Sequence, residues 1–164
     1  MATLEETRDT LHRLISSETG LDAMLAARPN WYGRLLTGLT LAIGDDPIVY
    51  LGAALEQSEL GFTFRVGAFT PETIAIGEAR GGAVGEASVS TKLQRRGDLV
   101  RLDISGGIPA FEPASYTEWP GKFRMKATYG SGLEVTIPSS VVDTAQKRAS
   151  LDHILDGLRN DLKH

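Results

Sequence analysis

Phe123-Arg124-Met125-Lys126-Ala127-Thr128-Tyr129-Gly130-Ser131-Gly132-Leu133-Glu134-Val135-Thr136-Ile137 reads as two strands and the turn between them. Phe123, Met125, Ala127 and Tyr129 alternate with Arg124, Lys126 and Thr128, and Leu133, Val135 and Ile137 alternate with Glu134 and Thr136. A period of two sends successive side chains to opposite faces of a sheet, so each run has one apolar side and one wet side. Gly130-Ser131-Gly132 supplies residues that accept the positive φ of a tight hairpin loop.

The same period recurs upstream. Phe62, Phe64, Val66 and Ala68 alternate with Thr63, Arg65, Gly67 and Phe69; Val89, Thr91 and Leu93 with Ser88, Ser90 and Lys92; Val100, Leu102 and Ile104 with Arg101, Asp103 and Ser105. A less regular strand is predicted over Ile48–Gln57. Thr70-Pro71-Glu72 and Arg96-Gly97-Asp98 separate strands as turns, the latter as a hairpin tip. About seven short hairpin-joined strands argue for an antiparallel sheet rather than βαβ units. Downstream, Val141, Ala145, Leu151, Ile154, Leu155, Leu158 and Leu162 have the spacing of a helix with one apolar stripe, and Pro138-Ser139-Ser140 precedes it with a hydroxyl cap.

The fold class expected is therefore α+β: an antiparallel, roughly seven-stranded, partly closed barrel over Ile48–Ile137, capped by a C-terminal helix. In the number and order of its elements, over Ile48–Leu162, this resembles the pleckstrin-homology-like superfold. Superfolds of this kind host many functions, so the resemblance by itself assigns none. In members that hold phosphoinositides it implies basic residues near the first hairpins.

Ahead of the sheet, residues 3–17 are predicted as a helix. Thr3 and Glu6 form a capping box there, and Leu4, Leu11, Leu14 and Ile15 make its apolar stripe. A short second helix is expected over Leu21–Arg28, stopped by Pro29. From Asn30 the pattern suits a helix that gives way to extended chain after Gly38, with a break at Gly44-Asp45-Asp46-Pro47. The division expected is a helical segment over 1–44 and a sheet domain over 48–164. Gly77 to Gly85 reads as a flexible connector; it lacks the GxxxxGK[ST] spacing of a phosphate loop.

Composition sets further bounds. The 164 residues carry 17 Lys+Arg, 21 Asp+Glu and no cysteine, for a formal charge of −4. Disulfide and thiolate chemistry are excluded, and nothing draws the whole chain to nucleic acid. No apolar run reaches transmembrane length, and the acidic N-terminus lacks the features of a secretory signal, so a cytoplasmic location is expected. His12, His153 and His164 have no metal-ligand spacing. Gly-x-Ser-x-Gly is missing, and the paired carboxylates Glu5-Glu6 and Asp45-Asp46 are adjacent rather than facing. These features argue against an enzyme and imply no cofactor or metal.

The candidates for binding are basic and aromatic. Between Arg80 and Lys126 there are eight Lys/Arg (Arg80, Lys92, Arg95, Arg96, Arg101, Lys122, Arg124, Lys126) against five Asp/Glu (Glu86, Asp98, Asp103, Glu112, Glu118). Lys92, Arg95, Arg96, Arg124 and Lys126 are the candidate cations. Phe111, Tyr116 and Trp119 are the candidate aromatics of the long loop between Gly106 and Gly121. The expected function is a non-enzymatic binding or interaction module for a protein partner or for its own copy, through the loop Pro109–Trp119 or the N-terminal helices. The alternative is a small-ligand carrier or enzyme that uses a cavity within the curved sheet, with Tyr116, Trp119 and Arg124 near its mouth. Nucleic acid is disfavoured, because Phe123, Met125 and Tyr129 lie opposite the basic side of their strand. Contact with anionic lipid stays open.

Overall fold

The computed structural model describes residues 1–18, 25–82, 85–107, 109–111, 121–138 and 145–164. Three helices and seven strands are present among them: α1 (Leu4–Ser16), α2 (Asn30–Ile43), β1 (Tyr50–Ser58), β2 (Gly61–Phe69), β3 (Thr73–Gly82), β4 (Ser88–Arg95), β5 (Leu99–Gly106), β6 (Phe123–Tyr129), β7 (Glu134–Ile137) and α3 (Ala145–Asp161). The strands form two antiparallel sheets, β1-β2-β3-β4 and β5-β6-β7. The α+β class, the strand count and the C-terminal helix are as the alternation predicted. Among the described residues the strands form two separate sheets and no closed barrel, so the expected partly closed barrel is not confirmed.

Registers such as Gly52↔Gly67↔Ile76↔Lys92 give the four-stranded sheet two distinct faces. One face presents Ala53, Phe64, Val66, Ala68, Ala75 and Ala79, and it shares a core with Leu11, Ile15, Leu25, Tyr32, Leu35, Leu36, Leu39 and Ile43 of the N-terminal region. The other face contributes Phe69 and Ile74 to a second core with Leu99, Met125, Ala127, Tyr129 and Ile137 of the smaller sheet and Ile154 and Leu158 of α3. Each face thus packs against a different partner.

Local chemistry accounts for most boundaries. Thr3 Oγ1 accepts from the Glu6 amide at 3.2 Å, while Glu6 Oε2 accepts from the Thr3 amide at 2.7 Å, completing the predicted capping box of α1. Gly44, at φ +63°, ends α2 and donates its amide to the Thr40 carbonyl. The Thr70 hydroxyl accepts from the Thr73 amide in the β2–β3 turn, and Gly132 turns the β6–β7 hairpin.

Four expectations need correction. The chain after Gly38 does not become extended: α2 continues to Ile43, because Leu35, Leu36, Leu39 and Ile43 carry one apolar stripe over the sheet. Residues 77–82 are not a flexible connector but the second half of β3. Their glycines admit close neighbours: a Cβ on Gly77 would stand 2.7 Å from Leu35 Cδ1, and one on Gly81 would enter the Phe62 ring. Arg96-Gly97-Asp98 is not a hairpin tip but a 3₁₀ turn that carries the chain from one sheet to the other. Finally, an irregularity between Leu99 and Arg101 shifts the start of β5, so Leu99 is buried and Val100 exposed, while Leu102 and Ile104 keep the predicted side opposite Ala127 and Met125.

In α3, Ile154 and Leu158 are buried and Leu151 and Leu155 half-buried. Residues 139–144, which include the expected helix start at Val141, lie outside the described residues, as does most of the expected helix over 21–28.

Candidate functional site

The smaller sheet, three strands wide, leaves part of the larger sheet's second face uncovered. The uncovered strip is the floor of a groove of about 620 Å³. Gly52, Ala54 and Glu56 come from β1, Thr63, Arg65 and Gly67 from β2, Ile76 and Glu78 from β3, and Ser90 and Lys92 from β4. The wall consists of β7 (Glu134 to Ile137) with Leu133, Pro138 and Arg124. Small residues set the depth: a Cβ on Gly67 would lie 4.0 Å from Val135 Cγ1, so β7 crosses the sheet close above the Gly52–Gly67 pair.

The wall also offers backbone. The Tyr129 amide donates to the Leu133 carbonyl, and pairs continue through Ala127↔Val135 and Met125↔Ile137. In an antiparallel ladder the hydrogen-bonded residues alternate. Val135 and Ile137 therefore turn their amide and carbonyl groups to β6, while those of Glu134 and Thr136 point outward. Among the described residues no strand pairs with this outer side of β7.

Charge in the groove is partly committed. Glu78 binds Arg65 Nε at 2.6 Å and Arg80 Nε at 2.5 Å. Burial pushes the Glu78 carboxyl up, but hydrogen bonds and charge from the two arginines outweigh it and hold it below the usual carboxylate range. Glu134 pairs with Lys126 at 3.3 Å. That leaves Lys92, Arg124 and Glu56, none of which has an ion-pair partner among the described residues. Tyr50, at the inner end, has its phenol pushed up to about 12 by burial and then by the charge of Glu18.

The candidates chosen from sequence are dispersed. Lys92 and Arg124 line the groove, and Lys126 stands beside it in its ion pair with Glu134. Arg95, paired with Thr73 on β3, shares the other face with Leu93 and Ala75 and points away from the groove. Arg96, expected at an exposed tip, is instead buried: its Nε donates to Asp161 Oδ2 of α3 at 2.8 Å and its Nη1 to the Thr70 carbonyl at 2.9 Å. Phe111 is fully exposed, and Tyr116 and Trp119 lie outside the described residues. The sequence reading did not select Glu56, Thr63, Arg65, Glu78 or Ser90. Alternation marked Thr63, Arg65 and Ser90 only as the wet side of their strands, Glu56 fell in the less regular strand and Glu78 in the expected connector, and which part of a wet side is roofed by a second sheet is set by tertiary packing.

The N-terminal helices, proposed from sequence as a partner surface, spend their buried side chains on the four-stranded sheet. Among the described residues no group of His, Asp or Glu side chains forms a metal site, and no helix is long and apolar enough to cross a membrane. No family model matches the chain, and neither a curated protein nor a solved structure matches it.

Proposed function

We propose that the protein is a non-enzymatic interaction module that takes an extended segment of a protein partner into the groove, alongside β7, as an added strand. The observation that carries this reading is the outward backbone of Glu134 and Thr136, which opens onto the uncovered strip of the larger sheet. Main-chain hydrogen bonds to an exposed edge supply affinity in strand addition, and the residues facing the added strand supply selectivity. A fourth strand on the smaller sheet would cover the strip that three strands leave bare.

The groove volume also suits a small molecule. Its floor, however, is lined by Glu56, Thr63, Arg65, Glu78, Ser90 and Lys92, which fits a polar chain better than an apolar ligand. The likeness to pleckstrin-homology-like domains is one of element order, four strands, three strands and a following helix, and does not by itself choose between these roles. It does not favour a lipid head group, since the turn of the first hairpin, Ser58, Glu59 and Leu60, carries no cation.

The test is an amide NMR titration with a pool of strand-forming octapeptides of mixed sequence. The expected result is slowed exchange at the Glu134 and Thr136 amides, with shifts at Ala54, Thr63 and Ser90. Thr136→Pro, which removes an outward donor without breaking the β6 ladder, should abolish both. Shifts confined to α1 and α2, or none anywhere, would overturn the proposal.

A further inference from the structure

Taking that groove as a strand-addition site, we infer that the segment it accepts is acidic. The argument is one of uncommitted charge. Of the carboxylates facing the groove, Glu78 is shared by two arginines and Glu134 is held by Lys126. Lys92 on β4 and Arg124 on β6 have no ion-pair partner among the described residues, and both line the groove. Two cations left without counter-ions on one cleft, in a chain of formal charge −4, are complementary to an acidic ligand.

Glu56 is the one uncommitted carboxylate in the groove, and its position gives the site a direction. The register places it on the opposite edge of the floor from Lys92, three strands away and two rows along. At the usual strand spacing that is roughly 14 Å or more. An incoming strand therefore meets positive potential at the β4 side, where Lys92 stands, and negative potential at the β1 side, with Arg124 on the wall adding to the positive charge of the groove. Acidic residues are taken at the first, and neutral or basic ones at the second. Ser90, two residues from Lys92 on the same face, adds a hydroxyl donor to the cationic end.

The experiment compares two pools of fluorescein-labelled octapeptides, identical except that two positions are glutamate in one and lysine in the other. Anisotropy is measured at low and high salt against the wild-type chain, Lys92→Glu, Arg124→Glu and the control Arg95→Glu. Arg95 shares the strand of Lys92 but faces the other way, so the control changes net charge without touching the groove. We expect the glutamate pool to bind about fivefold tighter than the lysine pool, as two exposed ion pairs allow. That margin should shrink in high salt and reverse in Lys92→Glu and Arg124→Glu, but persist in Arg95→Glu. Melting curves unchanged from wild type show that these surface variants are folded.

Equal binding of both pools, with binding lost in Thr136→Pro, would overturn the acidic preference and leave strand addition standing. A glutamate preference that falls equally in the Arg95→Glu control would show attraction by overall charge and overturn the inference. Absence of binding by either pool would sink strand addition and the preference together. Glutamate-pool binding abolished by vesicles rich in anionic lipid would reassign Lys92 and Arg124 to a membrane surface.

Discussion

Arg96 and its neighbour Arg95 occupy consecutive positions and meet opposite fates. Arg95 is exposed at the end of β4; Arg96 is 6% exposed, bound to Asp161 and to the Thr70 carbonyl. The Tyr129 hydroxyl has no hydrogen-bond partner among the described residues, and burial, followed by the charge of Asp161, pushes its phenol pKa up against the opposing pull of Arg96. Gly157 of α3 completes the enclosure, since a Cβ there would lie 2.6 Å from Arg96 Nη2. Removing one member of such a pair leaves the other charge buried without compensation, which costs far more than the intact pair contributes. Asp161→Ala is expected to cost about 3 kcal/mol in a urea melt. In an Arg96→Met background the same change should cost much less, because no stranded cation remains. Equal costs in both backgrounds would mean that Arg96 does not depend on Asp161. Nothing in the local sequence distinguishes the two arginines. The choice is made by a carboxylate on a helix 65 residues away, which is why the basic cluster was legible and the buried member was not.

At the level of elements, the alternation in β2, β6 and β7 and the capping box of α1 were readable because they depend on neighbours a few residues apart. The glycines were misread because their meaning is tertiary. Gly38 lowers helix propensity, yet α2 runs through it. A Cβ at Gly38 would stand 2.3 Å from Thr91 Oγ1 of β4, so the glycine lets helix and sheet approach. Gly38→Ala would ordinarily stabilise a helix by about 1 kcal/mol. Here we expect net destabilisation of about 1–3 kcal/mol, typical of overpacking, read from urea melts. Thr91→Ala removes the obstructing hydroxyl. In that background Gly38→Ala should cost less or become stabilising, giving a coupling energy of about 0.5 kcal/mol or more in the double-mutant cycle. Additive effects would show that the helix does not bear on β4 at this point. The same logic explains the groove: nothing in the local sequence marks Gly67, and only the placement of Val135 above it gives it a role.

For the molecule as a whole, tyrosines report on both cores at once. Tyr32 belongs to the core between the helices and the four-stranded sheet, Tyr129 to the core between the sheets, and Tyr50 packs against the latter. Burial pushes the phenols of Tyr32 and Tyr50 up to about 12, with a hydrogen bond from Ser16 partly opposing it at Tyr32, and Tyr129 moves in the same direction. A raised folded-state value means that the ionised form is disfavoured by folding. The stability tied to the neutral phenol is therefore complete below the ordinary value of 10.0 and is lost as pH rises above it. Each such tyrosine should remove up to about 1.4 kcal/mol per pH unit above that point. Urea melts should consequently be unchanged between pH 7 and 9 and weaken steeply toward pH 11. Of the four tyrosines in the chain, the three described ones should form phenolate, followed by absorbance near 295 nm, only as the fold is lost. Because the three sit in two cores with different partners, a single coincident step would show that the helix-covered and sheet-covered faces unfold together. Two separated steps would show that α1 and α2 can leave the sheet while the second core holds. Three phenolates appearing near pH 10 with the circular dichroism unchanged would contradict the burial of these rings and, with it, the assignment of both cores.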